Sequence, residues 1–372
     1  EERRAGAAER GREPSRAGAR ISPGVDCPAA DGTPDCGRDT VGGMARINPD
    51  TARRVARWMS GAGPSVTPAD ARATVAQLRA QAARAPMIVA DVTGLDEAAR
   101  TAARVPVIVV DRPGWAKAAT QLAGDVIGPY MGSGSGPLAD AMASAEIAVG
   151  VSAVAMRVLG QYDPFWAGPQ GAGPLPGGAA SLQEPAAGRL LLVAPNVRAF
   201  GAAYSLDRQD LALWICVHEL THAIQFAAAP WLTDYIHSRA RALLELVEAP
   251  ERPFTFDSGP GADLTALMSL LEGHAEFVMN EVPIARMPGK RHLIDAMKAR
   301  REAGSPIAAF LQRAIGLDLK SAQYRDGVAF VREVVRQAGH EGLNAVWTNP
   351  LFAPSLEEIA APSAWIRRVV GA

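Results

Sequence analysis

WICVHELTHAIQF, residues 214–226, sets two histidines and a glutamate inside an otherwise apolar run. Folded as a helix, this stretch places His218 and His222 four residues apart, so both imidazoles leave the same face one turn from each other. Two imidazoles so placed can grip one metal ion. Glu219 lies about 100° further round the turn, off the ligand pair but able to lean over the water that a third protein ligand leaves on a catalytic zinc. His-Glu-x-x-His arises by accident on the order of once in a hundred chains of this length, so the flanks must decide. Leu211, Leu213, Trp214, Ile215 and Val217 precede the motif, and Ala223, Ile224 and Phe226 follow it. A helix apolar on nearly all sides is a buried one. Burying two imidazoles and a carboxylate without partners costs on the order of several kcal/mol, whereas a metal satisfies all three at once.

A catalytic site of this kind needs a third protein ligand. The second strongly apolar helix expected, GADLTALMSLLEGHAEFVMNEV at 261–282, carries Glu272, His274 and Glu276 within its apolar sequence. Glu272 and Glu276 are four apart and share a face, while His274 points elsewhere by about 200°. Glu272 is therefore the expected ligand. Glu276 would accept the free ring N–H of a ligand histidine and so fix its tautomer. His274 is the rival, giving a three-histidine site, although the spacing usual for such sites is absent. His237, His292 and His340 stand in polar or turn-like surroundings and are expected to face solvent.

The 372 residues suffice for a sizeable core, and 48% of them are hydrophobic. A net charge of −1, from 38 basic and 39 acidic residues, gives no reason to expect nucleic acid or an anionic membrane as partner. A peptide or small amide fits better. The longest apolar run, IAVGVSAVAM at 147–156, is too short to span a bilayer. The charged start, EERRAGAAERGREPSRAGAR, lacks the apolar region of a secretory signal, which predicts a cytoplasmic protein. Three cysteines make no disulfide framework. Cys27 and Cys36 have no second Cys/His pair beside them, and Cys216 reads as a small core residue.

Two domain-level segments are expected: a disordered tail over 1–43, with almost no large apolar groups, and a single folded domain over 44–372. Within the domain, INPDTARRVARWMS and TPADARATVAQLRAQAARA predict scaffold helices, the second capped by Thr67 with Pro68 in its first turn. PMIVADV (86–92), VPVIVVDR (105–112) and RLLLVAPNV (189–197) predict three buried strands of one small sheet. The third is a candidate edge along which an extended substrate would align by strand addition. The Gly-rich stretches at 132–140 and 165–178 read as surface turns. The fold class that results is α+β and predominantly helical.

Seven stretches together resemble a known family: VVDRPGW (109–115), VLGQYDPF (158–165), LLLVAPNV (190–197), WICVHELTHAIQFAAAPWL (214–232), LMSLLEGHAEFVMNEV (267–282), QYRDGVAFVREVV (323–335) and GLNAVWTNP (342–350). They are similar to the zincin-like metallopeptidases of actinobacteria and some chloroflexi, a family sometimes labelled as associated with biosynthesis of a deazaflavin coenzyme. The resemblance implies a zincin-like core, in which a small sheet packs over an active-site helix carrying His218, Glu219 and His222, and a second helix brings Glu272. It implies zinc (Zn2+) as cofactor. Glu276 stands where many relatives carry Asp, the residues after Trp115 lack an expected Asn, and no residue marks a deazaflavin pocket.

The expected chemistry is zinc-dependent hydrolysis of a peptide bond, with Glu219 as general base. Tyr324, with Arg325 beside it, is the candidate donor to the oxyanion that forms on the carbonyl. Two other readings use the same residues: a non-catalytic zinc protein whose site staples two helices, and a hydrolase of a non-peptide amide or ester.

Overall fold

The helix that carries the motif is long, central and apolar because it is surrounded. In the computed structural model, which describes residues 49–59, 64–127, 148–168, 188–247, 258–302 and 322–371, this helix runs from Arg208 to Ala228. It starts at Asp207, whose carboxylate accepts the backbone N–H groups of Gln209 and Asp210, both at 2.9 Å, satisfying two of the amides that every helix start leaves unpaired. From Asp210 to Gln225 almost every side chain is buried. Among the described residues it is the one helix long and apolar enough to cross a membrane. Protein covers it on most sides instead.

In chain order the helices are α1 (Pro49–Met59), α2 (Pro68–Thr93), α3 (Asp96–Ala102), α4 (Arg112–Ile127), α5 (Ala194–Ala203), the motif helix α6 (Arg208–Ala228), α7 (Leu232–Val247), α8 (Gly259–Glu281), α9 (Lys290–Glu302), α10 (Ala322–Asn344), α11 (Leu356–Ala360) and α12 (Pro362–Val369). Residues 148–155 are also helical. Helix α6 packs against α2, α3, α5, α8 and α9, and a continuous core of buried apolar side chains fills the space between them. The fold is α+β and predominantly helical, as expected.

Three short strands form one sheet: β1 (Val107–Val110), β2 (Gly160–Asp163) and β3 (Arg189–Val193), in the order β1-β3-β2. β1 runs parallel to β3 and β2 antiparallel to it. Two of these were expected. The third expected strand, 86–92, is instead the last part of α2. That helix opens at Thr67, whose hydroxyl accepts the Asp70 N–H at 3.1 Å, and closes on Gly94, which takes the left-handed conformation (φ 72°) that glycine adopts at least cost. The β-branched residues within it fooled the expectation. Ala82, Ala85, Pro86, Val89, Ala90 and Thr93 are buried and Met87 and Asp91 exposed, which is the helical period and not alternation.

β3 also differs from the expectation. It is the central strand with all five residues buried, so its backbone is paired on both sides and cannot receive a substrate. The edge beside α6 is β2. Asp163 of β2 lies opposite Arg189 of β3, and their side chains form a buried ion pair at 2.9 Å. Where β3 passes into α5, the buried Asn196 accepts from Arg112 Nε at 2.7 Å and donates to the carbonyls of Ala155 and Val158, tying the sheet to the segments on its other face.

Helices α8 and α10 cross with backbone on backbone. A Cβ on Gly273 would fall 2.2 Å from the carbonyl carbon of Gly327, and one on Gly327 would fall 2.0 Å from the carbonyl oxygen of Ser269. At the end of α8, Lys290 donates to the carbonyls of Asn280 and Val282, each at 2.6 Å, a charge well placed for a helix C-terminus. Helix α10 breaks at Gly339 (φ 71°). The tail 1–43 and the Gly-rich turn at 132–140 lie outside the described residues.

Candidate metal centre

His218 and His222 stand one turn apart on α6, their rings edge-on with centroids 4.8 Å apart and their Nε2 atoms at 3.3 Å. Helix α8 brings Glu272 to the pair. Its Oε2 is 3.6 Å from His218 Nε2 and its Oε1 3.5 Å from His222 Nε2. Among the described residues, these three form the group whose ligand atoms converge, all within 4.8 Å of one another. Ligand bonds of about 2.0–2.1 Å in a tetrahedron set neighbouring ligand atoms about 3.3 Å apart. The 3.3 Å between the two Nε2 atoms matches one edge of that tetrahedron, each imidazole has its own Glu272 oxygen at 3.5 or 3.6 Å, and two imidazoles with one carboxylate are donors that suit zinc. The residues present fit a zinc ion. All three side chains are partly exposed, so the centre is reachable from solvent.

Glu219 is buried beneath the pair and held by the sheet. Its Oε2 accepts the backbone N–H of Tyr162 in β2 at 3.0 Å. Beside it, Gly160 leaves the room it needs: a Cβ there would fall 2.9 Å from Glu219 Cγ and 3.1 Å from Oε1. Burial pushes the Glu219 carboxyl up to about 7, with His222 opposing, Glu272 adding to the rise and the Tyr162 N–H opposing it. A carboxylate poised there is matched to taking and returning a proton near neutral pH.

The rival ligand His274 faces away from the pair. It is fully buried, its ring packs on Trp347 with centroids 5.3 Å apart, and burial, helped by His222 and His340, pushes its pKa down to about 3. Its Nδ1 lies 3.1 Å from Gln225 Nε2. Gln225 also faces the histidine pair, with Oε1 at 2.9 Å from His222 Nδ1. Gln225 was not foreseen. The available signal was spacing: a polar residue three after His222 shares its face in an otherwise apolar run. Glu276 sits one turn beyond Glu272 on α8, half-buried. Tyr324 and Arg325 fall in the first turn of α10, and their side chains lie outside the described residues. His292 is exposed as expected, whereas His237, stacked on Phe165 at 4.8 Å, and His340 are half-buried.

The comparisons with known proteins agree with this geometry. A family model described as zincin-like metallopeptidase matches residues 47–255 and 260–366. The chain belongs to the zincin-like metallopeptidases. A crystal structure from Chloroflexus aurantiacus, provisionally described as a hydrolase with a novel fold, is similar with 28% identity and a TM-score of 0.61, over 87% of this chain and 97% of that one. No curated protein matches significantly. A zincin-like metallopeptidase implies a metal, typically zinc, and His218, His222 and Glu272 are the described residues that could hold one.

The close contact at Gly160 makes a prediction specific to this zincin-like metallopeptidase. In Gly160→Ala the new methyl is expected to displace the Glu219 carboxylate while His218, His222 and Glu272 keep their positions. Hydrolytic turnover is expected to fall about 10-fold or more with metal content unchanged. Parallel metal analysis and kinetics check this; full activity in the variant would show that the position of the carboxylate is not critical.

Proposed function

We propose that the protein is a zinc-dependent hydrolase of peptide bonds, with His218, His222 and Glu272 as metal ligands and Glu219 as general base. The observation that carries this reading is the triangle of ligand atoms with a buried, sheet-anchored carboxylate next to it. Bound there, zinc would act as a Lewis acid toward the scissile carbonyl and lower the pKa of the attacking water.

The remaining work falls to the chain. Glu219 accepts the proton of the attacking water and returns it to the leaving nitrogen, which departs as a neutral amine. Its raised pKa supports the second transfer, since an ordinary carboxyl would release a proton at neutral pH too readily to hold it for donation. Tyr324 is the proposed donor to the developing oxyanion and Glu276 an outer carboxylate that orients the site. The backbone of β2 alternates: Leu159 O accepts from Val193 N and so faces β3, whereas Tyr162 N–H turns outward to Glu219. A net charge near zero and the half-exposed centre fit a peptide or small amide substrate and no nucleic acid or membrane partner; the working compartment proposed is the cytoplasm.

The test pairs metal content with cleavage. Wild type purified without chelators is expected to hold one zinc per chain and to cleave members of a mixed peptide library, while Glu272→Ala loses the metal and the activity together. Stoichiometric zinc with cleavage of esters or non-peptide amides alone would redirect the substrate. Zinc with no turnover on any of them would leave a metal-stapled scaffold, and wild type that takes up no zinc would end the proposal.

A further inference from the structure

A hydrogen-bonded chain leads from His222 to the histidine that does not reach the metal centre. His222 Nδ1 lies 2.9 Å from Gln225 Oε1. Gln225 Nε2 lies 2.9 Å from the backbone oxygen of Leu271 and 3.1 Å from His274 Nδ1. Leu271 O can only accept, so the amide atom facing it must be the NH2 group. The amide oxygen therefore faces His222, and because that oxygen also only accepts, His222 Nδ1 must carry the ring proton. Nε2 of His222 is then bare, with its lone pair toward His218 and Glu272.

The same reasoning continues outward. One N–H of Gln225 goes to Leu271 O, and the other meets His274 Nδ1, which must be the unprotonated ring nitrogen of a neutral His274. Gln225 and His274 are both fully buried, so bulk water cannot stand in for either partner. A reversed amide would turn NH2 toward His222, drive the ring proton to Nε2 and remove the lone pair a metal needs.

We infer that Gln225 and His274 are positioning residues for the metal centre: His274 and the Leu271 carbonyl lock the Gln225 amide, and that amide decides which nitrogen of His222 is free to bind metal. The inference rests on the metal-site reading above, and it assigns to His274 a role other than ligand. The plain competing account is that His274 only fills space against Trp347.

Two substitutions rank oppositely under the two accounts. His274→Leu keeps apolar volume but removes the acceptor, whereas His274→Asn is smaller and places an amide oxygen about where Nδ1 sits. Affinity for Co2+, titrated by its absorption spectrum, is expected to fall about 10-fold or more in His274→Leu and to stay within about threefold of wild type in His274→Asn. Equal losses, or a larger loss in the Asn variant, would overturn the role. Long-range 1H–15N spectra of metal-free wild type labelled at histidine supply a measurement that needs no variant to fold. The Nδ1–H tautomer at His222 supports the inference and the Nε2–H tautomer overturns it. Should wild type itself bind no Co2+, the metal-site reading fails, and the tautomer then decides by itself whether the amide sets the ring proton.

Discussion

Glu219→Gln is expected to keep its metal and to lose about 10³-fold in turnover if Glu219 is the general base proposed above. Glutamine has the shape of the carboxylate it replaces, and its amide oxygen can still accept the Tyr162 N–H that anchors Glu219 at 3.0 Å. What it cannot do is take a proton from water. The ligand triangle of His218, His222 and Glu272 is untouched, so metal content stays at the wild-type value. Loss of zinc in this variant would make Glu219 a ligand, and activity close to wild type would move the base elsewhere.

The same substitution carries a stability prediction of the opposite sign for the metal-free protein. Burial raises the Glu219 carboxyl to about 7 from an ordinary value of 4.5, so the folded state holds this proton more tightly than the unfolded chain does. The stabilising contribution is whole below about pH 4.5 and is lost as the pH rises through about 7. An ionised Glu219 then costs on the order of 3 kcal/mol. Metal-free Glu219→Gln is accordingly expected to unfold at higher urea than metal-free wild type at pH 8, with the gap closing toward pH 4.5. A variant less stable than wild type at pH 8 would refute the burial argument.

Gly273→Ala is expected to destabilise the fold by about 4 kcal/mol or more. The added methyl would sit 2.2 Å from the Gly327 carbonyl carbon, 2.5 Å from its oxygen and 2.6 Å from the Val328 nitrogen. These are backbone atoms of another helix and cannot rotate aside, so α8 and α10 must separate. Glu272 immediately precedes Gly273 and would move with α8, so metal affinity should fall in whatever fraction folds. Gly327→Ala meets Ser269 O at 2.0 Å and should behave alike. Gly124→Ala is the control: it lies in α4 with nothing within 4 Å of the new Cβ, and alanine there should be neutral or stabilising by about 0.5–1 kcal/mol. Urea unfolding of the three variants checks the ranking, and a Gly273→Ala protein as stable as wild type would contradict so close a crossing.

How legible the site was depended on contrast. His218, Glu219, His222 and Glu272 stood out because each is a titratable group set in a long apolar helix, where burial without a partner is costly. The geometry of α6 and α8 then brought them together as spacing had suggested. Gln225 offered less contrast, being neutral and lying toward the end of its helix, and its role depends on Leu271 and His274, which reach it from another helix. Pair spacing within one helix cannot show that. In the fold, Ile88, Val89 and Val92 carry strand propensity, yet the capped helix upstream and the burial of one face extend α2 through Pro86. Conversely GQYD, the whole of β2, has no run of apolar or β-branched residues. It is a strand because β3 offers it an unpaired edge, which is a tertiary cause.

That four-residue strand also limits where the chain tolerates changes of length. Adding or deleting one residue within 160–163 would exchange the inward and outward backbone groups. The N–H at Tyr162 would turn toward β3, and the space left by Gly160 would move from under Glu219. Single-residue insertions should therefore be far better tolerated outside Gly160–Asp163 than inside it.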